Sequence, residues 1–237
     1  MIDLAGQEAA YARDGYAVAS VFTPQEMEAA QADVIEQLDR VASALHHPFE
    51  HSRPDLPLAQ RLDAIARDEK AYANLLRLAV LTDAHRGPRL TGLAQNPKLR
   101  AVAEQLTGRR LQAAGNTIRL RASFAAFPEH WHNWHSDVAI DDGSDCGRLN
   151  ITSWIPLMDA GPGQGGLEIA AGRQSAPFPH VRASDFHIEP AALDHLPRAT
   201  PHCRAGEVLF LDRFTPHRTL PNAGPARFAL VVWMKAA

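Results

Sequence analysis

The sequence predicts a mainly β protein with flanking helices, an α+β arrangement. A jelly roll (a cupin-like, double-stranded β-helix) is expected behind an N-terminal helical cover. Three observations lead there. Apolar residues recur at helical spacing over roughly the first 110 residues. From Leu111 that spacing gives way to short β-like runs separated by turn residues. Eight such runs follow, at 111–115, 117–127, 139–140, 148–157, 166–169, 186–188, 207–211 and 228–234, which suits a double-sheet roll with an open mouth for a small ligand. With no internal repeat, linker or low-complexity tract, one domain over 1–237 is expected, with 1–110 as the cover and 111–237 as the core.

The elements justify themselves in order. Residues 3–13 read as a short helix, Asp14-Gly15-Tyr16 as a turn, and 17–21 as a strand. Thr23 is the N-cap of the next helix, Pro24 takes its first position and Glu26 closes a capping box. Met27, Ala30, Val34, Leu38 and Val41 continue that helix to about residue 44. The stretch 46–57, with three prolines and with His46, His47 and His51, is a solvated loop. A single helix is expected over 58–80, burying Leu62, Ile65, Ala66, Tyr72, Leu75, Leu76 and Ala79. A shorter one over 97–106 is capped by Asn96 and stopped at Gly108.

Composition narrows the function classes. The chain has 237 residues, 46% of them hydrophobic, and a net charge of −3, which argues against a nucleic-acid binder. No apolar run is long enough to span a bilayer and no signal-peptide pattern opens the chain, so a cytoplasmic protein is the expectation. Only Cys146 and Cys203 occur, neither in a C-x-x-C, which argues against a disulfide scaffold. Oligomeric state is not legible.

The chemistry centres on Trp134-His135-Ser136-Asp137. On a strand, residues two apart project from one face, roughly 6–7 Å apart along the backbone, so His135 and Asp137 suit two ligands of one metal. His217, after the apolar run 207–211, supplies the candidate third ligand. Two histidines and one carboxylate leave the opposite coordination positions open, as in non-haem Fe(II) oxygenases. Arg227 lies across the turn Pro221-Asn222-Ala223-Gly224-Pro225, and a hairpin there brings its guanidinium back beside the metal, where its planar fork suits a distal carboxylate. Other motifs carry less. Gly161-Pro162-Gly163-Gln164-Gly165-Gly166 lacks the Lys-Ser/Thr of a phosphate loop and reads as a tight turn. His130 and His132 belong to the loop before the ligand strand rather than to a zinc site, and 141–145 is a solvated turn rather than a calcium loop.

These residues together resemble the H-x-D…H…R set of Fe(II)/2-oxoglutarate dioxygenases of the phytanoyl-CoA hydroxylase type. The resemblance extends to Asp14-Gly15-Tyr16-Ala17-Val18, to Trp154-Ile155-Pro156-Leu157-Met158-Asp159, to Gly165-Gly166-Leu167-Glu168, and to Ala205-Gly206-Glu207-Val208-Leu209-Phe210-Leu211-Asp212. It implies Fe(II) held by His135, Asp137 and His217, 2-oxoglutarate as co-substrate, O2 as oxidant, and succinate and CO2 as co-products. It further implies that Thr219 supports the 2-oxoglutarate carboxylate beside Arg227, and that Arg121, Ser123 and Thr152 contact co-substrate or substrate. The family's histidine after the Gly-Ser turn is absent, since the chain reads Gly172-Arg173-Gln174. A carboxylate at 137 favours hydroxylation, since related halogenases carry a small residue there. The expected substrate is a small polar or anionic metabolite, from charge at Arg119, Arg121, Arg148 and Arg213. Two alternatives stand beside this: a cupin-type dioxygenase or isomerase that does not use 2-oxoglutarate, and a non-catalytic binding module of the same fold.

Overall fold

In the computed structural model every residue of Leu149–Pro156 is buried, because this strand has protein on both faces. Residues 4, 6–113, 115–137, 149–182 and 186–237 are described; the strand expected at 139–140, the turn at 141–145, Cys146 and Arg148 lie outside them. In chain order the helices are α1 Gln7–Asp14, α2 Pro24–Ala44, α3 Leu58–Asp68, α4 Lys70–Asp83, α5 Pro88–Ala94 and α6 Pro97–Thr107. The strands are β1 Tyr16–Ser20, β2 Thr117–Ser123, β3 Leu149–Pro156, β4 Leu167–Ala170, β5 Val181–Arg182, β6 Phe186–His187, β7 Arg198–Ala199, β8 Glu207–Asp212, β9 His217–Thr219 and β10 Arg227–Lys235.

Five strands form one antiparallel sheet in the order β1-β8-β3-β10-β2, and three form a second in the order β7-β4-β9. The period of two along each strand sorts side chains between two compartments. Ile151, Ile155, Val208, Phe210, Phe228, Leu230 and Val232 pack with Leu38, Leu62, Leu76 and Leu99 of the helical cover. Trp154, Leu209, Leu211, Ala229 and Val231 face the other way and pack with Leu167 and Ile169 of the smaller sheet. The sandwich is the expected jelly roll, with the helices covering the outer face of the larger sheet.

The cover confirms some local signals and corrects others. Thr23 caps α2 through the full capping box: its hydroxyl accepts from the Glu26 N–H at 3.2 Å, and Glu26 accepts from the Thr23 N–H at 2.7 Å. The single helix expected over 58–80 is two helices. At Glu69 the backbone is extended (φ −148°, ψ 86°), which resets the phase of the apolar stripe. Leu75, expected inside, is therefore 47% exposed, while Arg77 turns inward. α5 escapes a sequence reading because it is short and its N-terminal N–H groups are capped from afar: the Leu90 N–H donates to Asp33 of α2 at 2.8 Å. Of the run at 111–115, Leu111 makes an isolated bridge to Ala236, and no strand forms among its described residues. His47 contacts Glu69 at 2.8 Å and packs edge-on against Tyr72, so the histidine loop braces the α3–α4 junction. No helix among the described residues is long and apolar enough to cross a membrane.

Candidate metal centre and its cavity

His135 and His217 are brought together by backbone pairing. Each N–H donates to the other residue's carbonyl, at 3.0 and 2.9 Å, so the two residues sit directly opposite one another. Their rings lie 4.4 Å apart. The Thr219 N–H then donates to the His132 carbonyl at 2.9 Å, extending the pairing by one step. His135 holds only this isolated bridge and Asp137 lies off any strand, which corrects the expectation that one strand presents both.

Each ring is oriented from its own chain. His135 Nδ1 meets the Asn133 carbonyl at 2.7 Å, and His217 Nδ1 meets the Thr215 carbonyl at 3.1 Å. A carbonyl can only accept, so both Nδ1 atoms carry the proton and both Nε2 lone pairs are free. Those Nε2 atoms lie 3.9 and 4.0 Å from the Asp137 carboxylate oxygens. The three donor atoms fall within 4.8 Å of one another. Small side-chain rotations bring all three within bonds of about 2.0–2.2 Å of one ion.

Electrostatics prepare the same set. Burial, with His217 adjacent, pushes the His135 ring well below its ordinary range, keeping it neutral and available as a ligand. Burial opposes charge on Asp137, but His217 and His135 where protonated, and the Thr152 hydroxyl, outweigh it and hold the carboxyl below the usual carboxylate range. The Thr152 contribution does not depend on histidine protonation: its Oγ1 donates to Asp137 Oδ2 at 2.6 Å. The Trp233 indole also favours the ionised carboxyl, although its N–H makes no hydrogen bond of ordinary geometry. The main-chain N–H of Ser136, between the two ligands, donates to His180 Nε2 at 3.1 Å, and His180 Nδ1 is taken by the Phe178 carbonyl at 2.8 Å.

The donor set opens into a cavity of about 840 Å³. Arg121, Thr152, Thr219 and Arg227 all line it; Ser123 is not among the lining residues. Ser123 is buried behind the Gly165 turn, where a Cβ on Gly165 would come within 2.6 Å of its hydroxyl oxygen. Gly165 also has φ +65°, so both space and backbone conformation call for glycine there. That turn cradles the arginine: Arg227 donates through Nε at 2.8 Å and through Nη2 to the Gly165 carbonyl, and its guanidinium lies 5.2 Å from the Trp154 ring. Its Nη1 is buried without a partner. Burial pulls the group down to about 9. The glycine-rich stretch that the sequence marks only as a tight turn is therefore the mount of a buried cation of the cavity.

Of the other expected residues, Arg119 is exposed on β2 and donates to the Ile118 carbonyl, while Arg213 stacks on Phe214 at 4.5 Å; neither lines the cavity. His132 lines it, and desolvation together with Arg121 lowers its ring, a push that its exposure to solvent weakens. Sequence reasoning missed Arg77, which reaches the cavity from α4, and Phe186, which reaches it from β6. The break at Glu69 hides the first; a two-residue strand hides the second.

No protein-family model matches the sequence, and no curated protein matches it. Solved structures do. The chain is similar to the epimerase SnoN in complex with Fe3+, alpha ketoglutarate and nogalamycin RO, at TM-score 0.65 and 20% identity over 99% of this chain and 84% of that one. It is similar to EctD from S. alaskensis with 2-oxoglutarate and 5-hydroxyectoine, at 0.67 and 21% over 98% and 76%. AviO1 from Streptomyces viridochromogenes Tue57 superposes at 0.63 and 20% over 99% and 96%. The fold is a jelly roll. At these identities the likeness carries the fold, and the chemistry rests on this chain's own residues.

Proposed function

We propose that this chain is an Fe(II)- and 2-oxoglutarate-dependent dioxygenase that hydroxylates a small molecule, within or close to the phytanoyl-CoA hydroxylase type. One observation carries the reading. Two free imidazole Nε2 atoms and one ionised carboxylate converge in a cavity whose wall also holds a buried arginine with an unpartnered Nη1. A buried charge with an unused donor is costly unless a ligand completes it. The solved structures of SnoN and EctD described with 2-oxoglutarate support the reading, because they share the fold.

In it, His135, Asp137 and His217 hold iron and leave its opposite positions open. Iron, with 2-oxoglutarate and O2, supplies oxidation of a substrate C–H bond with release of succinate and CO2. The protein's own residues do the rest. Arg227 grips the distal carboxylate of 2-oxoglutarate through Nη1, and Thr219 offers it a hydroxyl. Thr152 keeps the Asp137 carboxylate charged and fixes its orientation. Trp154 and Trp233, both on the lining, limit water around the donor set. SnoN is an epimerase and SnoK a carbocyclase by their descriptions, so the fold also carries outcomes other than hydroxylation. Asp137 as third ligand favours hydroxylation here over halogenation.

The test is succinate release from 2-oxoglutarate with Fe(II) and ascorbate, alongside direct metal and 2-oxoglutarate binding. His135→Ala, Asp137→Ala and His217→Ala each lose Fe(II) binding, whereas Arg227→Ala keeps Fe(II) and loses 2-oxoglutarate affinity. Wild-type protein that binds Fe(II) but shows no affinity for 2-oxoglutarate would turn the assignment toward a cupin-type enzyme.

A further inference from the structure

We infer that the substrate is a small organic anion, held in the cavity by Arg77 of the helical cover and Arg121 of β2. This deepens the reading of the cavity as a 2-oxoglutarate dioxygenase site and rests on it. Arg77 and Arg121 line the same cavity as the donor set. Arg77 is 4% exposed, yet neither its hydrogen bonds nor its ion pairs reach a carboxylate among the described residues. Its Nε and Nη2 donate to Asn74 Oδ1 at 3.0 and 2.8 Å, and its guanidinium lies 5.5 Å from the Phe127 ring. A neutral amide and an aromatic face orient the charge without cancelling it. The same ring also carries the Lys70 ammonium at 5.3 Å. Arg121 makes no hydrogen bond or ion pair with a described residue, and burial holds both guanidiniums below the ordinary arginine range.

Charge balance says what they await. The described lining carries three guanidiniums, Arg77, Arg121 and Arg227, against two carboxylates, Asp137 and Glu129. The double charge of Fe(II) and that of 2-oxoglutarate cancel. Asp137 acts on Arg121, while Arg227 has no carboxylate of the chain acting on it. Arg77 faces only Glu129, whose side chain is 55% exposed and screened by solvent, so the three guanidiniums of the lining outnumber its effective carboxylates. A surplus of one to two positive charges is left for the substrate, enough for one carboxylate or one phosphate. Arg77 comes from the cover and Arg121 from the roll, so an anion held by both sits in the cavity that the donor set opens into.

The experiment uses the full chain loaded with Ni(II), which does not turn over, and saturating 2-oxoglutarate. Fluorescence from the cavity tryptophans is titrated with benzoate and with its neutral isostere benzamide at constant ionic strength. Benzoate should bind about tenfold or more tightly than benzamide, the preference that charge-assisted hydrogen bonds confer. Arg77→Met should remove most of that preference while circular dichroism and 2-oxoglutarate affinity stay as in the wild type; Arg77→Lys should restore part of it. Equal affinities, tighter benzamide, no binding of either, or an unchanged preference in Arg77→Met each overturn the anion site. Wild-type protein that binds neither Ni(II) nor 2-oxoglutarate overturns the dioxygenase reading itself, and the anion site falls with it.

Discussion

Replacing Arg227 with methionine should make the ligand-free protein more stable and the 2-oxoglutarate complex weaker. Burial pulls the guanidinium down to about 9, a fall that corresponds to about 5 kcal/mol held against the charged form. The bonds to the Gly165 carbonyl and the Trp154 face return part of it, and Nη1 returns nothing because it has no partner. Methionine keeps the apolar stem against Trp154, removes the charge, and leaves the Gly165 carbonyl short of a donor at about 1–3 kcal/mol. The net gain is about 1–3 kcal/mol, in line with apolar replacement of other buried ions, and at roughly 2–4 °C per kcal/mol it raises Tm by several degrees. Ligand erodes that advantage. At a 2-oxoglutarate concentration of about 100 Kd, the Ni(II)-loaded wild type gains about 2.7 kcal/mol. Loss of charge-assisted bonds worth about 1.5–3 kcal/mol raises Kd roughly 10–150-fold. The variant's gain at the same concentration then falls to about 1.5 kcal/mol or less. Differential scanning fluorimetry with and without 2-oxoglutarate reads both effects. If Arg227→Met melts below the wild type without ligand and responds to 2-oxoglutarate just as strongly, the reasoning about its unused donor is refuted.

Other outcomes follow from the same geometry. Thr152→Val removes the 2.6 Å bond to Asp137 without changing side-chain shape much; Ni(II) affinity should fall about 10–100-fold, and an unchanged isotherm would show that Asp137 needs no such support. His180→Ala frees the Ser136 N–H and unstacks Phe186, which sits 4.6 Å away. Metal affinity should drop about tenfold with global melting little altered, whereas a large loss of Tm with normal metal binding would make His180 a packing residue only. Burial lowers His85, His135 and His180 from their ordinary 6.5. As pH falls below 6.5 the unfolded chain takes up protons that these folded rings refuse, so stability rises with pH across this range and is lost on acidification. Metal-free melting from pH 7.5 to pH 5 should slope accordingly, and a flat profile would contradict the burial of these rings.

Strand periodicity and the spacing of His135, Asp137, His217 and Arg227 were enough to predict a jelly roll and a metal site, because period-two patterns and ligand chemistry are local properties of the chain. Capping of α2 was legible for the same reason: Thr23 and Glu26 satisfy each other within one turn. What the sequence could not carry was anything set by a distant partner. The N-terminus of α5 is capped by Asp33, more than fifty residues earlier. The extended backbone at Glu69 rotates Arg77 into the cavity and Leu75 out of it, and no periodicity rule anticipates where a helix will break against a tertiary neighbour. Gly165 reads as a turn residue until Arg227 is found donating to its carbonyl. The chain alone thus determined which side chains are the candidates to bind a metal and an oxo-diacid. Tertiary packing decided which charges are left unpaired inside the cavity, because the cost of an unmet charge depends on what surrounds it and not on its place in the sequence.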